Sequence, residues 1–293
     1  RGLMQKIKLD FAPGWPAFEA LTGPFEVKRG RLNIEPASAR LYATDIAVNA
    51  RIDNLAKPQP AMALALKSRG SVKDLLNLLL SSPIAGQLPD AVKRMSASGQ
   101  ATVDSQMMLS SDPKLARART TIRLKGASIK LADELPTVQA LNGQLSLSGK
   151  TLVAKNLSGK WLDQAVELDL NASATGTGKL AIRSAVSSQT LQRLATVGDV
   201  EAPRWIRAVK GASPWSVEIQ GGSGGQVQFS ANTNLSGTAI DLPPPLGKSR
   251  QSARALSLSG DIAQDKSRIR ATYGPIALAT VVHLQRDGAV GYE

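Results

Sequence analysis

The sequence predicts an all-β, antiparallel fold with a few short helices, drawn out along tandem repeats. Three observations carry this expectation. Apolar residues recur at every second position in run after run, turn residues punctuate the runs, and several motifs recur in order 114 to 120 residues apart.

The period of two comes first. Ile46, Val48, Ala50 and Ile52 alternate with Ala47, Asn49 and Arg51. Met62, Leu64 and Leu66 alternate with alanines and Lys67, Leu145 and Leu147 with serines, and Val166, Leu168 and Leu170 with Glu167 and Asp169. Val217 and Ile219 flank Glu218, while Val227 and Phe229 alternate with Gln226 and Gln228. Successive side chains of a strand point to opposite faces, so each run has one apolar and one polar face. That suits antiparallel sheet with one wet side.

Turn chemistry separates the runs. Lys28 to Arg31 and Ser148 to Lys150 read as hairpin tips, the glycine-rich stretch 221–225 as a hairpin loop, and Gly176 to Gly178 as a turn. The prolines at 243–245 exclude a central strand, because Pro lacks the N–H that the ladder needs. Two segments read as helices. Ser71 caps the first, with Asp74 at the capping-box offset and Pro83 beyond its end at Ser81. The second runs from Ser187 to Ala195 and is shorter and more polar. Further helical turns are expected after Pro89 and Pro203.

The repeats follow. Ala20, Leu21 and Gly23 recur as Ala140, Leu141 and Gly143; Phe25, Val27 and Leu32 recur as Leu145, Leu147 and Leu152. Ser71, Leu75 and Leu78 match Ser187, Leu191 and Leu194, and Pro89 matches Pro203. The expected organisation is one continuous segment, 1–293, of a longer protein. Residues 14–137 form one repeat unit, 138–250 a second, and 251–293 the start of a further strand region. Repeats stack on their neighbours and share a core, which predicts an elongated body.

Composition removes whole classes of function. The 293 residues hold no Cys and one His, which excludes thiol nucleophiles, disulfides, Cys-based zinc sites and multi-His metal sites. No cofactor and no metal are expected. His283 has no nearby Ser or acid at useful spacing and reads as a surface or edge-strand residue rather than a catalytic base. The close carboxylates Asp133 with Glu134 and Glu167 with Asp169 read as a turn and a wet strand face. Gly247, Lys248 and Ser249 resemble the end of a phosphate loop, but Leu242 stands where its first Gly belongs. No apolar run approaches the ~20 residues that span a bilayer. The chain begins at Arg1 and reads as a processed product or an excised piece.

The net charge is +13, and its densest stretch is Arg117, Arg119, Arg123 and Lys125. Their shared parity places them on one face of a strand. That face is either a phosphate-binding stripe, for lipid headgroups or nucleic acid, or simply solvated. With only 11 aromatics there are few stacking platforms, so no nucleic-acid partner is expected.

The ordered motifs resemble the periplasmic AsmA-like superfamily, and within it the YhdP group of large envelope proteins. Gly14 to Gly23 resembles its repeat-opening W-P-x-(L/F)-x-x-L-x-G, Ser81 to Ile84 its S-P motif after a short helix, Gly211 to Trp215 its G-x-S-P-W, and Leu235 to Lys248 its L-x-G…L-P-x-P-L-G-K segment. The resemblance implies a long twisted sheet curled into an apolar groove, a periplasmic location, a membrane anchor in the inner membrane elsewhere in the parent, and phospholipid movement between the two membranes. The partners it implies are phospholipid acyl chains, and membranes reached through other parts of the parent protein. It implies no catalytic residues.

The candidate lining residues are Ile46, Val48, Ile52, Met62, Leu64, Leu66, Ile122, Leu124, Leu145, Leu147, Val166, Leu168, Leu170, Val217, Ile219, Val227 and Phe229, with Arg117, Arg119, Arg123 and Lys125 as candidate headgroup contacts. The alternative is a structural β-sandwich scaffold of the envelope whose apolar faces satisfy one another. Periodicity does not separate a groove wall from a closed sandwich.

Overall fold

In a computed structural model of the chain, the described residues are 1–10, 14, 16–42, 44–58, 60–81, 95–110, 117–130, 136–173, 177–197, 204–221, 226–262, 266–284 and 290–292. The expectations for Pro83, Pro89, Asp133, Glu134, the turn at Gly176 and the glycine loop at 222–225 lie outside them. The described chain is nearly all strand, and its strand pairs are antiparallel. It divides into two compact units, one of residues 1–131 and 140–154, the other of residues 132–139 and 155–293.

The first unit is a meander of β1 (Gly2–Leu9), β2 (Phe18–Lys28), β3 (Arg31–Leu41), β4 (Thr44–Ile52), β5 (Met62–Ser71), β6 (Ser96–Leu109) and β7 (Arg117–Lys130), each paired with the next. β8 (Val138–Ser148) follows, with the Gly149 N–H donating to the Ala118 carbonyl at 3.0 Å. The expected hairpin tip at Lys28 to Arg31 is a two-residue turn, with Arg29 and Gly30 at φ of 50° and 74°. Two positive φ values match the right-handed twist of the flanking strands.

The second unit holds most of β9 (Thr151–Trp161), then β10 (Gln164–Ser173), β11 (Gly178–Ser187), β12 (Val209–Gly221), β13 (Val227–Thr233), β15 (Leu256–Ile262), β16 (Lys266–Tyr273), β17 (Ile276–Leu284) and β18 (Val290–Tyr292). From β10 onward each of these pairs with the next. The short β14 (Thr238–Ile240) pairs with the start of β12. β17 is paired on both sides, so His283 is not in an edge strand, because Val290–Tyr292 adds one more.

Two helices interrupt the meanders. α1 (Val72–Leu80) starts on the expected box: Ser71 Oγ accepts from the Asp74 N–H at 3.0 Å and donates to its carboxylate at 2.7 Å. α2 (Ser188–Val197) repeats the device with a hydroxyl, Ser187 Oγ accepting from the Thr190 N–H at 3.2 Å. α2 has ten residues against nine in α1, so the expectation that it is the shorter helix is corrected. The turn expected after Pro203 is a 3-10 helix, Arg204–Ala208.

Bulges set the curvature of the strands. Lys6, Ala20, Gly126, Ala140 and Asn156 all have φ between 51° and 60°. Three of them, Ala20, Gly126 and Asn156, sit where buried residues are three apart rather than two: Phe18 and Leu21, Leu124 and Ala127, and Ala154 and Leu157. One extra residue re-phases the strand, so that both apolar neighbours reach the same face, and it bends and twists the strand. Lys6 and Gly126 are 120 residues apart, as are Ala20 and Ala140.

Candidate functional site

The registers stack the apolar residues into transverse ladders. In the first unit Ile34, Ala50, Leu64, Met107 and Ala118 lie side by side on β3 to β7. The next ladder is Ala37, Val48, Leu66, Ser105 and Thr120, and the one after it runs from Ala39 through Ile46 to Val103 and Ile122. Ile52 pairs with Met62, and Leu124 with Ala101. The lining residues expected on β4, β5 and β7 therefore share one face, and the Gly149–Ala118 bond puts Leu145 and Leu147 on the same side by their period of two.

The centre of this face is closed, while Ile52, Met62, Leu66 and Ile122 around it are half-buried. Val48 is 2% exposed and Leu64 3%, and residues from β1 to β6 meet in one cluster with Leu78 of α1 packed against it. A single flat sheet cannot bury its own face to that degree, so this unit's sheet curls over itself, capped by the helix.

In the second unit one ladder is Leu168, Ile182, Val217, Ala231, Leu258, Ala271 and Leu278. Another is Leu170, Leu180, Ile219, Phe229, Gly260, Ile269 and Thr280. Val227 lies beside Ile262 on the third. Gly260 leaves room for the Phe229 ring, since a Cβ there would stand 2.8 Å from it. Val166 is buried, but Leu168, Leu170, Val217 and Ile219 are half-buried and Leu278 is 64% exposed. This face is open.

The opposite faces are polar. Arg183 bonds both Glu167 and Asp169, Lys179 pairs with Glu218, Arg51 with Asp53 and Lys67 with Asp104. Glu167 and Asp169 thus stand on a wet face, as expected. Arg117, Arg119, Arg123 and Lys125 alternate with Ile122 and Leu124, so they lie on the face opposite the apolar ladders.

Lys248 is held as a structural ammonium. Its Nζ donates to the carbonyls of Leu235, Thr238 and Ser249 at 2.5 to 2.9 Å, and burial beside Arg254 lowers its pKa. Arg254 donates to the Pro245 carbonyl and lies over the Tyr273 ring, whose hydroxyl donates to the Leu246 carbonyl. These bonds tie down the proline loop, and the N–H groups of Leu246, Gly247 and Lys248 already donate to the carbonyls of Pro243 and Ile240, so they form no cradle for phosphate.

Sequence reasoning missed Leu180, Ile182, Leu256, Leu258 and Leu278, though the first four alternate with period two. It also missed Ala37 and Ala39, whose small side chains give no hydropathy signal. Among the described residues no cluster of His, Cys, Asp or Glu can hold a metal, and no helix is long and apolar enough to cross a membrane.

The described chain is a strand meander with polar outer ladders and apolar inner ones, interrupted by two short helices. A family model described as YhdP protein matches residues 2–290, and the chain belongs to the YhdP family. No curated protein and no solved structure matches it.

Proposed function

We propose that this chain is a non-enzymatic, lipid-binding segment of a periplasmic envelope protein anchored in the inner membrane, and that it helps phospholipid move between the inner and outer membranes. The observation that carries the reading is the open ladder from Leu168 to Leu278, apolar at every one of its seven strands. At a strand spacing of about 4.8 Å it runs roughly 29 Å along the sheet, longer than one bilayer leaflet is thick.

Each Å2 of acyl chain laid on that face contributes about 25 cal/mol. No ladder residue offers a charge, so the attraction has no preferred register, and a chain can slide between equivalent positions. The phosphate of such a lipid stays at the rim, in water. YhdP family membership supports the reading.

The closed face of the first unit favours the second reading, a scaffold, for that unit alone: Val48 and Leu64 are already covered by their own sheet. We therefore assign the lipid to the second unit. Native mass spectrometry of detergent-free protein, with lipid extraction, tests this. Co-purifying phospholipid that is lost in Leu278→Asp is expected. A clean apo mass that also refuses added phospholipid would overturn the assignment.

A further inference from the structure

We propose that the polar face of β7 is an anion site for a phosphate ester, seated at Arg117 and Arg119. The first observation is charge. Across the outer faces Arg51, Lys67, Lys179 and Arg183 each meet a carboxylate. Among the described residues Arg117, Arg119, Arg123 and Lys125 meet none, and their partners across β6 are the neutral Met108, Gln106, Thr102 and Gln100. Four exposed cations in a line of about 27 Å repel one another and add nothing to the fold.

The second observation is shape. At the Arg117 end the outer face hollows into an open cleft of about 580 Å3. Arg117, Arg119 and Arg51 stand in its wall with the amides of Asn49 and Gln106, over a floor that includes Ala63 and Ala65. Glu35 is the one carboxylate among the lining residues, so cations outnumber it three to one. Alternate residues of one strand sit about 7 Å apart, so the two free guanidinium forks can converge on one tetrahedral dianion. The amides supply neutral donors for its remaining oxygens. Arg123 and Lys125 extend the positive field along the strand and steer the anion in.

The cleft's lining also takes in Ala50, Leu64, Met107 and Ala118 of the first apolar ladder, while its charged groups all come from the alternate, outward positions. The chemistry is a phosphate group; its source is either a lipid headgroup or a free polyphosphate. Calorimetry with tripolyphosphate, and flotation with phosphatidylcholine vesicles with and without phosphatidic acid, separate the two. We expect binding in at least one arm, weakened about tenfold or more in Arg117→Gln/Arg119→Gln, as befits two charged hydrogen-bond donors. Tripolyphosphate binding points to a soluble ligand; binding to phosphatidic acid vesicles alone points to a membrane headgroup.

Lys28→Gln/Arg29→Gln, at the exposed β2–β3 hairpin tip, removes the same two charges and controls for net charge, and circular dichroism controls for folding. Binding in neither arm overturns the proposal. So does binding that survives in Arg117→Gln/Arg119→Gln, or that falls as far in the hairpin variant.

Discussion

The Gly126 N–H donates to Asn142 Oδ1 at 3.0 Å. Asn142 in turn donates from Nδ2 to the Ala140 carbonyl at 2.7 Å. Gly126 and Ala140 are the bulged residues of β7 and β8, so one side chain satisfies an N–H that the bulge removes from the ladder and fixes the neighbouring bulge. Exactly 120 residues earlier, Thr22 Oγ1 accepts from the Lys6 N–H at 3.1 Å and donates to the Ala20 carbonyl at 3.1 Å. A hydroxyl and an amide thus serve the same pair of bulges in the two copies.

That equivalence predicts an asymmetric result. Asn142→Ala should cost about 1 kcal/mol, the usual net worth of a partly exposed hydrogen bond. Asn142→Thr should cost less than about half of that, because Thr already performs the role at position 22. Urea midpoints of the two variants check it, and equal losses would show that the side-chain bond does not stabilise the bulge.

A third bulge brings in pH. The Asn156 N–H donates to Asp169 Oδ1 at 2.7 Å, and that bond together with Arg183 lowers the Asp169 pKa below its ordinary 3.8. With the folded value depressed, the unfolded chain binds more protons in this range, so stability is present above 3.8 and is lost as pH falls through the folded value. Asp169→Asn should therefore flatten the acid limb of the stability curve. Denaturation midpoints taken down through the carboxylate range check this, and an unchanged acid slope would rule out the linkage.

Lys248 makes a different prediction. Its ammonium donates to three carbonyls, two of which also accept a second bond, Leu235 from the Thr238 N–H and Ser249 from the Ser252 hydroxyl. Lys248→Met keeps most of the volume but removes three charged hydrogen bonds, while the Leu235 and Ser249 carbonyls keep their second donors, at a cost of about 1–3 kcal/mol. Hydrogen exchange should show the loss in 235–254 first. Unchanged protection there would mean that the Arg254 and Tyr273 contacts suffice.

Much of this was legible beforehand. The period of two placed Ile46, Val48, Leu168 and Val217 on strands with one apolar face, and Ser71 with Asp74 marked the start of α1. The bulges were not legible, because an Ala at positive φ, as at 20 and 140, looks like any other Ala. The difference between a closed face and an open one was hidden too. It depends on how far a sheet curls, and the same alternating Leu serves both cases. Lys248 was visible only as part of a phosphate-loop look-alike, since a carbonyl cage built from the distant Leu235 and Thr238 leaves no local pattern.

The two faces should respond oppositely to one substitution. Leu64 is 3% exposed inside the closed cluster, whereas Leu278 is 64% exposed on the open ladder. Leu64→Asp buries a charge with no partner and opens a cavity, so it should cost about 3–5 kcal/mol and loosen the first unit. Leu278→Asp stays solvated and should change stability by less than about 0.5 kcal/mol. Lipid retention should fall in Leu278→Asp while its thermal midpoint holds. In Leu64→Asp the thermal midpoint should fall whether or not lipid is present. If Leu278→Asp unfolds the chain as readily as Leu64→Asp, the second ladder is core after all, and the lipid must be sought elsewhere.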